Sequence, residues 1–299
     1  MSLKGIDIAS YQDGMDAGKV EADFVIVKAT QGTTYTNPYF SRHYSQAVAS
    51  GKLTGAYHYA SGGDAVKEAD YFLTVVGHRA GKCILALDWE HNKGNGANPV
   101  FNTGKEVSWC LAFAKRIHDK TGVWPFLYMS ASVTRRRDWS AVAKYCPLWL
   151  AQYGSNDITG YQSSPWTDGR QLGAWGRNTA IHQYSPSGSI SGYRCSKPHG
   201  LDLDIAYITP EQWKKYARGT AMTEPAKEFP DRTDADLAVE ILWELHGNGD
   251  DRRRKLGSRY AGAQDLVEYY LENAGELLVA EKAYGKKFGG DLFAGKMRA

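Results

Sequence analysis

Residues 83–91 read CILALDWEH, an apolar run that ends abruptly in Asp88, Trp89 and Glu90. In an extended strand, residues two apart share a face. Asp88 and Glu90 therefore project side by side, with α-carbons about 7 Å apart. Two carboxylates at the end of a buried strand cost free energy unless something uses them. Like charges that close tend to leave one acid protonated beside an ionised partner. Cleavage of a glycosidic bond needs this division of labour: an acid for the leaving oxygen and an anion near the positive centre that develops. The plainer alternative is a strand that ends at the surface with its last residues wet. D-x-E alone does not separate the two.

The elements that must position this pair are legible around it. Eight short β-rich runs occur in the first 210 residues: GIDIASYQ, FVIVKATQG, TGAYHYA, CILALDWEH, PFLYMS, LWLAQYG, TAIHQYS and LDLDIAY. They are apolar throughout rather than alternating, as in parallel strands buried on both faces. Helical patterns lie between several of them, at 38–50, 64–79, 104–120 and 132–145. After LWLAQYG and TAIHQYS come Gly- and Ser-rich stretches with no helical period. The fold class expected is α/β: an irregular TIM-like (β/α) barrel with some helices replaced by loops, plus a small C-terminal helical module. Polar and aromatic groups recur at the ends of the runs: Asp7, Tyr11 and Gln12; Lys28 and Gln31; Tyr57, His58 and Tyr59; Asp88 and Glu90; Tyr128; Gln152 and Tyr153; His182, Gln183 and Tyr184; Asp202 and Asp204. Parallel barrels build their sites at the C-terminal strand edge, so the pair belongs to a constellation.

Bulk composition narrows the field. The 299 residues suffice for one large domain, or for one large and one small. No run of 18 apolar residues occurs, so no membrane insertion is expected. The start, MSLKGIDIAS, lacks the basic and apolar regions of a secretory signal, which leads to the expectation of a cytoplasmic protein. Cys83, Cys110, Cys146 and Cys195 lie far apart with no metal-like spacing, and read as thiols rather than a disulfide framework. Net charge is +3, divided as +6 over residues 1–219 and −3 over 220–299. The dense basic runs, 135–137 and 252–255, fall on helical patterns and read as solvated faces, so no nucleic-acid partner is expected. No phosphate-binding loop or His cluster is present, and neither a metal nor another cofactor is expected.

Taken together, GIDIASYQ, FVIVKATQGTTYTNPYF, GAYHYA, LALDWE, LWLAQY, HQYS and LDLDIAY, in this order and spacing, resemble the family 25 glycoside hydrolases, a family of muramidases or lysozymes found among phage endolysins and bacterial autolysins. The resemblance spans residues 3–210. It implies a peptidoglycan hydrolase, cleaving the β-1,4 bond between N-acetylmuramic acid and N-acetylglucosamine, with bacterial peptidoglycan as its partner. Carried over by motif, Glu90 falls on the general acid and Asp88 on the residue that stabilises the N-acetyl group or positions water. Asp7 and Asp202 fall on the flanking carboxylates, with Asp204 the fallback for the latter. Gln31 stands where the family usually has Glu, a departure that bears on substrate contacts. Like charge from Asp7, Asp88 and Asp202 is expected to raise the Glu90 pKa. Lys28, Tyr57, Tyr59, Tyr128, Gln152 and Tyr184 are candidate substrate-binding residues.

The expected domains are a catalytic barrel at 1–218, a Pro-bearing linker at 219–235, and a helical cell-wall-binding module and tail at 236–299. DLAVEILWELHGNGDDRRRKLGSRYAGAQDLVEYYL resembles a type 7 cell-wall-binding repeat, which implies muropeptide binding. With that resemblance goes a phage endolysin held in the host cytoplasm until it reaches the wall. Two rival readings stand beside it. A chitinase-like barrel also uses D-x-E, but with a further acid two residues earlier, where this chain has Ala86. A non-catalytic glycan-binding barrel would be expected to lack the full acidic set. Oligomeric state and stereochemical course are left open.

Overall fold

The computed structural model describes residues 2–91, 98–195 and 200–218, together with Leu256, Tyr260 and Ala263. Internal contacts divide the chain into two compact units, Met1–Met222 and Thr223–Ala299. The linker at 219–235 and nearly all of the module expected at 236–299 lie outside the described residues.

Eight strands close on themselves: β1 (Leu3–Ile8), β2 (Phe24–Gln31), β4 (Leu53–Tyr59), β5 (Ile84–Asp88), β6 (Phe126–Ser130), β7 (Leu148–Ala151), β8 (Ile181–Ser185) and β9 (Asp202–Ala206). A two-residue strand, β3 (Tyr35–Thr36), hangs on the edge of β2. The order β1-β9-β8-β7-β6-β5-β4-β2, with β1 also paired to β2, makes a closed barrel. This is the irregular TIM-like α/β barrel expected from the sequence. Helices α1 (Phe40–Ala49), α2 (Ala65–Val76) and α3 (Glu106–Thr121) occupy three of the expected helical stretches.

The fourth stretch divides into α4 (Ala131–Thr134) and α5 (Ser140–Ala143). The Thr134 hydroxyl donates back to the Ala131 carbonyl, 2.9 Å, and Asp138 accepts from the Ser140 N–H, 3.0 Å. Local side-chain bonds of this kind end one helix and begin another.

One strand departs from the parallel arrangement. β9 runs antiparallel to both β1 and β8. Among the described residues the link from β8 carries no helix, and a chain without a crossover returns in the opposite direction. Asp202 therefore sits at the start of its strand, not at its end. It reaches the same edge as the other strand ends because the strand is reversed.

The closed sheet separates two apolar regions. Val25, Val27, Leu85, Leu87, Leu203 and Ile205 point outward and pack beneath the helices. Phe24, Ile26, Ile84, Ala86, Phe126, Trp149, Ile181 and Ala206 point inward and fill the barrel. At Gly5 an added Cβ would collide with the Phe24 ring, so that ring takes the space a β1 side chain would need.

The floor is closed by α6 (Pro210–Arg218), whose Trp213 is 1% exposed. Trp213 packs against Phe24 with ring centres 4.7 Å apart and the rings tilted, and its indole N–H donates to the Thr54 carbonyl at 3.1 Å. Trp213→Ala should cost about 3–5 kcal/mol and lower the melting temperature by about 10 °C, read by circular dichroism. A shift under about 2 °C would contradict α6 as the seal.

Candidate active site

At the upper edge the inward positions turn from apolar to acidic. Asp7 on β1 lies in register with Asp202 on β9, and Asp88 at the end of β5 lies between Tyr59 of β4 and Tyr128 of β6. Trp89 continues the ladder, donating its N–H to the Tyr128 carbonyl at 2.9 Å. Its indole turns outward and is fully buried against Trp109, at 5.1 Å. That anchor returns Glu90 to the inner face beside Asp88. The four acids marked by sequence, Asp7, Asp88, Glu90 and Asp202, are thus brought together at one mouth, near enough to influence one another's protonation.

Asp204 joins them from below. It is fully buried and accepts from the Trp149 indole at 2.8 Å. Asp202 and Asp204 both face inward, one above the other, so the choice between them is not exclusive.

Burial is the first cause of the raised proton affinity at every one of these carboxyls. For Asp7 the charge of Asp204 follows, and for Asp88 the charge of Glu90. Glu90 itself is raised by burial and lowered by Lys28. Like charge was the cause expected at Glu90; the structure assigns the rise to desolvation instead. Asp88 and Glu90 titrate as a pair, each raised first by burial.

Lys28 is the cation that acts on both. Its ammonium lies 4.5 Å from the Tyr59 ring centre and donates to the Gln31 amide oxygen at 2.9 Å. A β-bulge makes this contact possible. Lys28 pairs with Tyr57 and Thr30 with His58, leaving Ala29 as the extra residue. The bulge turns Thr30 outward, where its hydroxyl meets His58 Nδ1 at 2.8 Å, and returns Gln31 to the inner face.

Sequence reasoning chose imperfectly among the aromatic and amide groups. Tyr57, Tyr59 and Tyr128 are at the mouth or just beneath it. Tyr184 is not: it is the extra residue of a second bulge, packs in the outer core, and accepts from the Gln162 N–H at 3.1 Å. Gln183, its neighbour, faces inward. Its amide N–H donates to Asp7 at 2.7 Å, and its oxygen accepts from Tyr128, at 2.8 Å, and from Tyr153. Two-residue alternation from Ile181, an inner-core residue, was the signal that could have selected Gln183. Gln152 stands at the rim with its side chain on the Asp168 N–H, 3.4 Å, rather than on the acids.

Neither Asp88, Glu90 nor Asp202 accepts a hydrogen bond from any described residue, and Asp88 Oδ1 is buried without a partner. A buried carboxylate oxygen with no donor is costly, so a donor supplied by a ligand would bind there with unusual gain. Beside the acids, a cavity of about 630 Å³ extends over the β2–β3 turn and the β4–α2 loop, with Gln31 and Tyr35 on one wall and Ser61, Gly63 and Glu68 on the other. Among the described residues no group of three or more His, Cys, Asp or Glu is arranged to hold a metal ion. Cys83, Cys110, Cys146 and Cys195 are all free thiols.

A barrel mouth with paired buried carboxyls and flanking acids is a site of the glycoside hydrolase class. The chain matches the family described as Glycosyl hydrolases family 25 over residues 6–193. It belongs to that family and is a glycoside hydrolase. It is 37% identical over 142 residues to an N,O-diacetylmuramidase of Chalaropsis sp, covering 44% of this chain and 67% of that one. It is 33% identical over 176 residues to the lysozyme of Streptococcus phage Cp-1, covering 56% and 47% respectively. The crystal structure of a bacterial lysozyme from Streptomyces coelicolor aligns with 74% of this chain and 99% of its own, at TM-score 0.60 and 25% identity. The chain spans 64% and 55% of the length of two bacterial relatives.

The acid cluster leaves a thermodynamic trace. A carboxyl whose folded pKa is raised favours the fold while protonated, below its unfolded value, and that contribution is lost as pH rises through the folded value. Asp204→Asn keeps the acceptor for Trp149 and removes the charge. It should raise the melting temperature at pH 8, by about 2–4 °C per kcal/mol relieved, and change it little at pH 4. Equal effects at both pH values would mean that Asp204 carries no ionisation penalty.

Proposed function

We propose that this enzyme is a muramidase that cleaves the β-1,4 bond between N-acetylmuramic acid and N-acetylglucosamine in bacterial peptidoglycan. The observation that carries the reading is the buried Asp88, one oxygen without a partner among the described residues, beside the half-buried Glu90 at the barrel mouth. Glu90, the more open of the two, is the acid that protonates the glycosidic oxygen. Asp88, with its unpartnered oxygen, accepts the N–H of the substrate's acetamido group, stabilising the charge that develops at the sugar. Asp7, fixed by Gln183, and Asp202 supply the negative wall of the pocket. Burial keeps the Glu90 proton available toward neutral pH, and Lys28 opposes this. A chitinase-type arrangement is disfavoured: the inward position two residues before Asp88 is Ala86, sealed in the inner core.

The finer reading is a phage endolysin, supported by the similarity to the phage Cp-1 lysozyme. On that reading the barrel occupies 1–218, residues 219–235 link it to a module at 236–299 that holds it on the wall through muropeptide, and the enzyme waits in the host cytoplasm before reaching its substrate.

Glu90→Gln preserves shape and removes the proton, and should reduce lysis of purified walls by at least about 100-fold, the lower range for a general acid. Near-normal lysis by a folded variant would remove Glu90 from that role. Borohydride reduction of digested wall should yield muramicitol; glucosaminitol alone would identify a glucosaminidase. Lys28→Met removes the cation that lowers the Glu90 pKa, so the alkaline limb of the kcat profile should move to higher pH. A limb that stays in place or moves down would contradict this electrostatic role.

A further inference from the structure

The segment from β7 to β8 crosses the barrel rim without an α-helix, and it carries Trp166, 55% exposed. The base of this indole rests on Gly154: an added Cβ there would lie 3.0 Å from Trp166 Cβ and 3.4 Å from its Cγ. Gly154 directly follows Tyr153, and the Tyr153 hydroxyl donates to Gln183, which in turn holds Asp7. The ring is therefore seated one residue from a side chain that reaches the acid cluster.

Its loop is tethered at several points. Arg135 donates to Asp168 at 2.8 Å and to the Gln171 carbonyl at 2.8 Å; Arg170 donates to Asp168 at 3.0 Å; and the Asp168 N–H reaches Gln152 at the end of β7. Burial works against the Asp168 charge, yet these donors hold its carboxyl well below the usual range. An indole that stays open to water on so firmly held a loop offers a rigid flat face at little ordering cost. Tyr11, Tyr35 and Tyr153, all exposed, lie on the same rim. Flat apolar faces beside a sugar-cleaving mouth suit the C–H faces of hexose rings.

We propose that Trp166 is an outlying sugar platform, stacking an N-acetylhexosamine ring of the glycan chain beyond the residues that flank the scissile bond. The proposal rests on the glycan-cleaving reading above. It makes the enzyme prefer long chains to short ones, and it gives the β7–β8 loop a binding role that the acid cluster does not require.

The test uses the full chain, with circular dichroism melts to establish that Trp166→Ala and Trp166→Phe fold. On peptide-free glycan chains longer than eight sugars, Trp166→Ala should lower kcat/KM about fivefold, within the range of one aromatic stacking contact. The loss should fall on KM, with kcat unchanged, and Trp166→Phe should recover most of it. On a tetrasaccharide the variants and wild type should be alike. Equal losses on long and short chains would overturn the proposal in favour of a structural role, and so would no loss on either. If wild type cleaves neither chain, the bond assignment fails and the platform is decided by binding alone. N-acetylglucosamine hexamer should then quench tryptophan fluorescence in wild type and much less in Trp166→Phe; identical quenching would overturn it.

Discussion

Five carboxyl groups share the mouth of one barrel, four of them carried on strands β1, β5 and β9 above an apolar barrel interior. Burial raises the proton affinity of each, and Lys28 is the cation that answers two of them. Three nearby donors temper this desolvation without abolishing it. Gln183 donates to Asp7, Trp149 donates to Asp204, and Lys28 is steadied by Gln31 and the Tyr59 face. Among the described residues, Asp88, Glu90 and Asp202 are left without such donors. The groups that are held fix the geometry, and those left unheld are the ones able to exchange protons with a substrate.

Separation of the two apolar regions makes this arrangement stable. The inner core, from Phe24 to Trp213, supports the acids from below, while the outer core locks each strand to its helices. Trp89 belongs to the outer core although it lies between two acids. Its burial sets the direction of Glu90 as firmly as any hydrogen bond could. Beneath α2, His58 bridges Thr30 and Glu68, and Glu68 in turn accepts from the Ser61 and Gly63 N–H groups. The wall of the neighbouring cavity is thereby fixed from behind.

All eight barrel strands were legible in the sequence, because each is a short apolar run closed by polar groups, and so were the acids that those runs deliver. What the sequence concealed depended on direction and phase. The reversal of β9 follows from a missing crossover helix, which a loop-rich segment suggests but does not state. Tyr184 and Gln183 exchange importance through phase alone: alternation from the inward Ile181 turns Gln183 in and Tyr184 out. The cause of the Glu90 shift was also hidden: charges can be counted along a chain, whereas burial belongs to the closed barrel. Asp204 stood in the sequence only as the alternative to Asp202; with the strand placed beside β1 both belong to the cluster.

The bulge at Ala29 has a consequence for how such a site can change. Side-chain direction along a strand works as a two-stroke count, and the bulge absorbs the extra residue without advancing it: Ala29 and Thr30 both point outward. One further residue inserted before Thr30 would leave every polar group of the mouth in the chain, yet would turn Thr30 inward and Gln31 outward. Lys28 would lose its tether and His58 its partner, with no chemically active residue replaced. In this barrel the length of a strand is as much a determinant of the site as its composition, and a one-residue insertion can do what no single substitution can.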